Sequence, residues 1–257
     1  MRFIIFILSF LLFQTNTYSN TSESKKFNQK YLSDYFSALI SSKNQNNNDA
    51  LKFFNSSKFL IKKHDNFLKE YVFSLVLDGQ VKKAIKQIKS SKNEKNSNFF
   101  ESSLLLTIES FKERDFKQVS KKLSELDISK DDGTYEFVIF KILENYNYLF
   151  LKKKIKNQEN DFGNLNLIVS GFQNCYLNSN KTSTYFLNLI NDSNSDYSRY
   201  IFFYLTYLIN NNDLNKVKEI SNRIEPLADN LLISQSKEWI EKKRIEEFAK
   251  YFSCKNE

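Results

Sequence analysis

Apolar residues recur at helical spacing from Tyr31 onward. Leu32, Tyr35, Phe36, Leu39 and Ile40 fall at i, i+3, i+4, i+7 and i+8, one face of a helix, with Ala38 the small residue where a neighbour can approach. Asn44 to Asn48 read as a turn, and Asp49 caps the next helix, whose buried face is Ala50, Phe53, Phe54, Ser57 and Leu60. The layout then repeats. Phe67, Leu68, Tyr71, Val72, Leu75 and Val76 form a first helix that Asp78-Gly79 closes, and Val81, Ala84, Ile85 and Ile88 form a second. Phe100, Leu104, Thr107, Ile108 and Phe111 are followed by Phe116, Val119, Leu123 and Leu126 in the same way. Ala50 and Ala84 stand 34 residues apart, and Val119 a further 35. A period near 34 with a small residue opening each second helix signals stacked helix–turn–helix units.

Asp131-Asp132-Gly133 interrupts the pattern. Tyr135 to Leu151 reads as one long apolar-aromatic helix, and Lys152 to Gln158 as its exposed basic end, where cations suit the helix dipole. Two shorter helices are expected over Asn164 to Leu177 and Thr182 to Ile190. Tyr200 to Ile209 is uncharged enough to pass for a buried strand. It runs, however, into Asn210-Asn211-Asn212-Asp213 and then Leu214, Val217 and Ile220, the layout already seen at Asn46 to Phe54. Pro226 starts a last pair, Leu227 to Ser236 and Glu238 to Phe252, with Trp239, Ile240, Ile245, Phe248 and Phe252 on its apolar face. The expectation is an all-α solenoid of antiparallel helix pairs: regular repeats over 31–130 and degenerate ones over 131–257.

The first residues follow another logic. Met1-Arg2 is a short positive start, Phe3 to Phe13 an apolar run, and Gln14 to Asn20 polar with a small-residue cleavage site at Thr17-Tyr18-Ser19. That is the form of a secretory signal peptide over 1–20, too short to span a bilayer, with a disordered leader over 21–30. The chain is therefore expected outside the cytoplasm, in the bacterial periplasm or cell envelope. Cys175 and Cys254 are free to pair there, but two cysteines so far apart do not make a disulfide framework, and burial as small apolar thiols is the expectation.

Composition changes the picture only slightly. With 4 glycines and 1 proline the chain lacks the turn chemistry of an all-β fold. A genome poor in G and C would give the same depletion, so periodicity decides. The net charge of +8 is almost all lysine. Readers of phosphates and bases favour the arginine fork, so a diffuse lysine excess reads as a solvated surface and no nucleic-acid partner is expected.

Nothing assembles into a catalytic or metal-binding constellation, and no cofactor is expected. His64 is the only histidine and sits in a lysine-flanked loop, where it reads as solvated. The glycines are isolated, which leaves no phosphate-cradling loop, and the carboxylates have helix-surface or turn spacing.

The units from Tyr31 to Leu126 resemble the tetratricopeptide repeat family. Its small and apolar packing positions fall on Ala38, Ala50, Phe54 and Ser57; on Ala84, Ile88 and Ser91, with Val72 departing; and, degraded, on Thr107, Val119, Leu123 and Leu126. The family's early tryptophan and late proline are absent. The resemblance implies a right-handed solenoid like the N-terminal part of longer bacterial proteins of this kind. It also implies a groove that takes a partner segment on the first helices. The family's partner-facing positions fall here on Tyr35, Leu39 and Ser42; Lys69, Phe73 and Val76; and Leu104, Ile108 and Phe111. The functional expectation is a non-enzymatic scaffold that binds a protein or peptide. The alternative is a basic binder of nucleic acid or an anionic envelope surface, and less favoured still an envelope enzyme of unrecognised type.

Overall fold

A computed structural model describes residues 28–91, 97–126, 128, 133–157, 160–192, 200–221 and 244–255. The signal-peptide and leader readings, apart from residues 28–30, and most of the last helix pair, including Trp239 and Ile240, lie outside them. Among the described residues there are twelve α-helices and no strand, so the fold is all-α. They are α1 (Gln29–Lys43), α2 (Asn47–Ser56), α3 (Phe67–Leu77), α4 (Val81–Ser90), α5 (Phe100–Lys112), α6 (Phe116–Ser124), α7 (Tyr135–Lys152), α8 (Asn164–Tyr176), α9 (Thr182–Ile190), α10 (Ile201–Asn210), α11 (Leu214–Ser221) and α12 (Ile245–Tyr251). The run at 201–210, ambiguous by composition, is helical.

One turn, used five times, links most first helices to their partners. In each, a residue in the left-handed region follows the helix: Gln45, Gly79, Arg114, Asn178 and Asn212. Its N–H donates to the carbonyl three residues back, and the next N–H to the carbonyl five back. Examples are Gln45 to Ser42 with Asn46 to Ser41, and Asn212 to Ile209 with Asp213 to Leu208. This is the Schellman arrangement, which satisfies carbonyls the helix end leaves open. The residue after it often caps the next helix. Asn46, Asp115 and Asp213 each accept the backbone N–H three residues on. The five left-handed residues are 34, 35, 64 and 34 apart. The period therefore recurs beyond Leu126, at Asn178 and Asn212. The double step spans α7, one uninterrupted helix where a turn would otherwise fall.

Only one of these five positions is glycine. A Cβ at Gly79 would meet nothing within 4 Å, so the cost of adding one is purely the positive φ of 73°. Gly79→Ala is expected to lose about 1 kcal/mol of stability, and Gln45→Gly to gain several tenths, both read from urea unfolding curves.

The chain divides into two compact units, Met1–Ser102 and Ser103–Glu257. In the first, α1 packs on α2 and α3, α2 on α3, and α3 on α4. Ala38, Ala50 and Ala84 are fully buried at these crossings, and Ser57 fits because its hydroxyl donates to its own helix at Phe53. The core is aromatic: Phe54 lies 5.6 Å from Phe67 edge-on, 5.9 Å from Tyr71 and 6.2 Å from Tyr35. Leu60, expected on α2, is buried in a separate 3₁₀ turn, Lys58–Lys62. His64 follows it with its ring 4.7 Å from that of Tyr35, so it packs rather than standing in solvent as expected.

In the second unit α6 packs on α7, and α7, α8, α9, α10 and α11 follow in sequence, with α12 returning to α10. Phe202, Phe203, Phe248 and Phe252 stack across that return. The basic stretch after α7 is more engaged than expected. Lys153 turns left-handed and lays its ammonium over the Tyr176 ring at 4.9 Å, and Lys156 pairs with Glu144 at 3.1 Å.

The cysteine expectation is corrected. Cys175 and Cys254 form a disulfide, with Cα atoms 5.8 Å apart. The return of α12 onto α10 carries residue 254 to the end of α8, a proximity that sequence separation conceals.

Candidate functional site

The groove expectation rests on which side chains the first helices leave to solvent. On α1 the buried line is Tyr35 and Ala38, because α1 must meet both α2 and α3. Tyr35 is 2% exposed, which places its ring in the core rather than on a surface. Leu39 is half-buried. The five-residue apolar arc is wider than the contact it makes. Phe36 and Ile40, expected on the buried face, point outward as an i, i+4 pair.

On α3 the buried side is Phe67, Leu68, Tyr71, Val72 and Leu75. Lys69, Phe73 and Leu77, each four residues on from the last, form an exposed stripe, with Val76 half-buried beside it. Phe36, Ile40, Phe73 and Leu77 are between 52% and 61% exposed, far beyond what a core role would leave. Neighbouring helices thus each present a two-residue apolar pair. Phe36, Ile40 and Leu77 were absent from the sequence list. The signal for them was the i, i+4 spacing on faces opposite the small packing residues.

Lys69 is not a free cation: it pairs with Glu101 at 2.9 Å. Partial burial pushes the Glu101 carboxyl up, but the hydrogen bond and charge of Lys69 outweigh it and hold it below the usual range. Both partners are about half exposed, so the pair contributes at most about 1 kcal/mol.

In the second unit, Ile108 is exposed on α5, whereas Leu104 is half-buried. Phe111 is half-buried as well and packs edge-on to Phe116 at 6.3 Å and Phe150 at 6.1 Å. Of the three, Ile108 alone is open enough for a partner to cover.

Among the described residues no group of three His, Cys, Asp or Glu side chains could hold a metal ion. Asp213 and Glu247 join Glu101 in being held low, by the hydrogen bonds of Lys216 and Arg244. A general acid needs the opposite displacement. A recess beside Lys141, Glu144 and Asn166 has about 20 Å³ of room, enough for about one water and no substrate. No described helix is long and apolar enough to cross a membrane.

The largest displaced group is structural. Burial, with a smaller contribution from Tyr200, pushes the Tyr146 hydroxyl up to about 12. The folded chain thus holds this proton more tightly than the unfolded chain, whose tyrosine titrates near 10. The stabilisation is complete below pH 10 and is lost as pH rises through about 12, a fall of about 2–3 kcal/mol. Tyr146→Phe is expected to abolish that alkaline component in denaturation midpoints measured from pH 9 to 12; an unchanged profile would refute it.

No protein-family model, curated protein or solved structure matches this chain.

Proposed function

We propose that the protein is a non-enzymatic scaffold of the bacterial periplasm or cell envelope, built as a tetratricopeptide-like solenoid, that binds an apolar or amphipathic segment of another protein. The observation that carries this reading is the pair of exposed apolar stripes, Phe36 with Ile40 on α1 and Phe73 with Leu77 on α3. An i, i+4 apolar pair on each of two neighbouring helices is the kind of surface that receives an amphipathic helix or an apolar strand of side chains. The site is thereby narrowed from the sequence list. Leu39, Phe73 and Val76 stay in it, Phe36, Ile40 and Leu77 join, and Tyr35 becomes a support; Ile108 lies in the second unit and is left out of it.

Repetition of one turn at a 34-residue interval supports the stacked-repeat reading, because such units bury their apolar faces only against each other. The disulfide supports an oxidising compartment and so the signal-peptide reading.

The test is affinity capture from envelope extract with the mature chain and with a Phe73→Ser, Leu77→Ser variant, at low and high salt. A discrete protein retained at high salt by the wild type and lost by the variant, with helical circular dichroism unchanged, is the expected result. Capture that vanishes with salt would replace this reading with that of a basic surface binder, and salt-resistant capture unaffected by the variant would remove the α3 stripe from the site.

A further inference from the structure

We propose that the stripes of α1 and α3 receive an acidic amphipathic helix of the partner, docked by its apolar face and held at the rim by its carboxylates. The proposal rests on the scaffold reading and names the chemistry of the partner segment.

Charge is the first argument. The chain's net charge of +8 lies wholly in the unit that carries the stripes. Met1–Ser102 holds 16 lysine and arginine residues against 8 aspartates and glutamates, whereas residues 103–257 hold 22 of each. Residues 28–102 alone hold 13 lysines, no arginine and 7 acids, so the excess does not depend on the first 27 residues. Two of these lysines continue the stripes: Lys43 stands three residues after Ile40 and Lys69 four before Phe73, and both are exposed. Lys43 enters no ion pair among the described residues. Asp78, next to Leu77, is bound by the Gln80 amide, and Glu101 by Lys69. A surface of this sign draws an acidic partner and repels a second copy of itself. Ammonium groups without the arginine fork suit the carboxylates of a protein better than the phosphates of a nucleic acid.

The apolar surface then selects a helix. Residues i and i+4 lie about 6 Å apart along a helix, and packed helices such as α1 and α3 lie about 8–10 Å apart. An incoming helix spans a patch of that size with apolar residues at i, i+3 or i+4, and i+7, and it satisfies its own backbone. An extended segment would press unpaired N–H and C=O groups onto Phe36, Ile40, Phe73 and Leu77, whose side chains bond none of them. Each of the four is also about half covered by its own unit. They form a shallow surface for a partner's side chains, not prongs that enter a bilayer by about 5–10 Å.

The experiment selects a displayed library of random peptides of about 16 residues, roughly four helical turns, on the oxidised mature chain at physiological ionic strength. Binders are counter-selected on the Phe73→Ser, Leu77→Ser variant. The stripe-dependent sequences are expected to carry apolar residues at helical spacing and a net negative charge, and to gain helical circular dichroism on binding. Lys43→Glu is expected to weaken them about fivefold. Stripe-dependent sequences that are proline-rich, apolar at every second position or net positive, or an affinity unmoved by Lys43→Glu, would overturn the proposal and leave the scaffold reading standing. No stripe-dependent sequence at all would overturn both. Phosphatidylglycerol–phosphatidylcholine vesicles are co-sedimented with the two proteins in parallel. Stripe-dependent sedimentation without stripe-dependent peptides would assign the surface to lipid instead.

Discussion

Reducing the Cys175–Cys254 disulfide is expected to lower the unfolding free energy by about 4.5 kcal/mol, the chain-entropy value for a bond closing a 79-residue separation. The whole stability of a domain is about 5–15 kcal/mol, so the loss is a large share of it. The bond closes a loop from the end of α8 to the residues after α12. In the folded protein those ends are already brought together by Phe248 and Phe252, which pack on Phe202 of α10. Its main action is therefore on the unfolded chain, which it denies most of its freedom over that stretch. Urea titrations with and without a reductant, and of the Cys175→Ser, Cys254→Ser double variant, measure the difference. Coincident curves for the oxidised and reduced protein would show that the bond contributes nothing.

Phe54→Ala is expected to cost about 3–5 kcal/mol, through lost burial and the cavity left behind. Phe54 is wholly inaccessible and is the ring that Tyr35, Phe67 and Tyr71 share, so one truncation removes three aromatic contacts. Each such contact contributes about 0.5–1.5 kcal/mol beyond area burial. Phe73→Ser, on the solvent side of α3, changes a side chain of similar size and is expected to cost within about 0.5 kcal/mol. Urea unfolding of the two variants side by side separates core from surface on the same pair of helices. Equal losses would place Phe73 in the core and remove the basis of the binding stripe.

The helices were legible because a helix advertises itself locally. Residues three and four apart share a face, so 201–210, apolar enough for a strand, is settled by the Asn-Asn-Asn-Asp turn that follows it. The buried small residues were legible for the same reason: Ala38, Ala50 and Ala84 sit where neighbouring backbones approach. The repetition after α7 was legible at Asn210 to Asp213, which copies the earlier layout, but not at Asn178. It is carried by backbone conformation at Asn178 and Asn212, and asparagine adopts the left-handed region without the glycine that would have signalled it.

The candidate surface was only half legible. Apolar spacing says that Tyr35, Phe36, Leu39 and Ile40 share one side of α1 but not which of them a neighbour covers. That depends on where α2 and α3 lie, and the contact proved narrower than the arc: Tyr35 went inside, while Phe36 and Ile40 stayed out. His64 came to rest on Tyr35 for the same reason.

By itself, then, the sequence determined an all-helical chain, the positions of the described helices and the small residues at their crossings, because these follow from interactions within a few residues. Tertiary structure alone decided the pairing of Cys175 with Cys254 and the line between core and open face on α1 and α3. Each joins residues whose separation along the chain carries no information about their distance in space, since that distance is set by how successive helices stack.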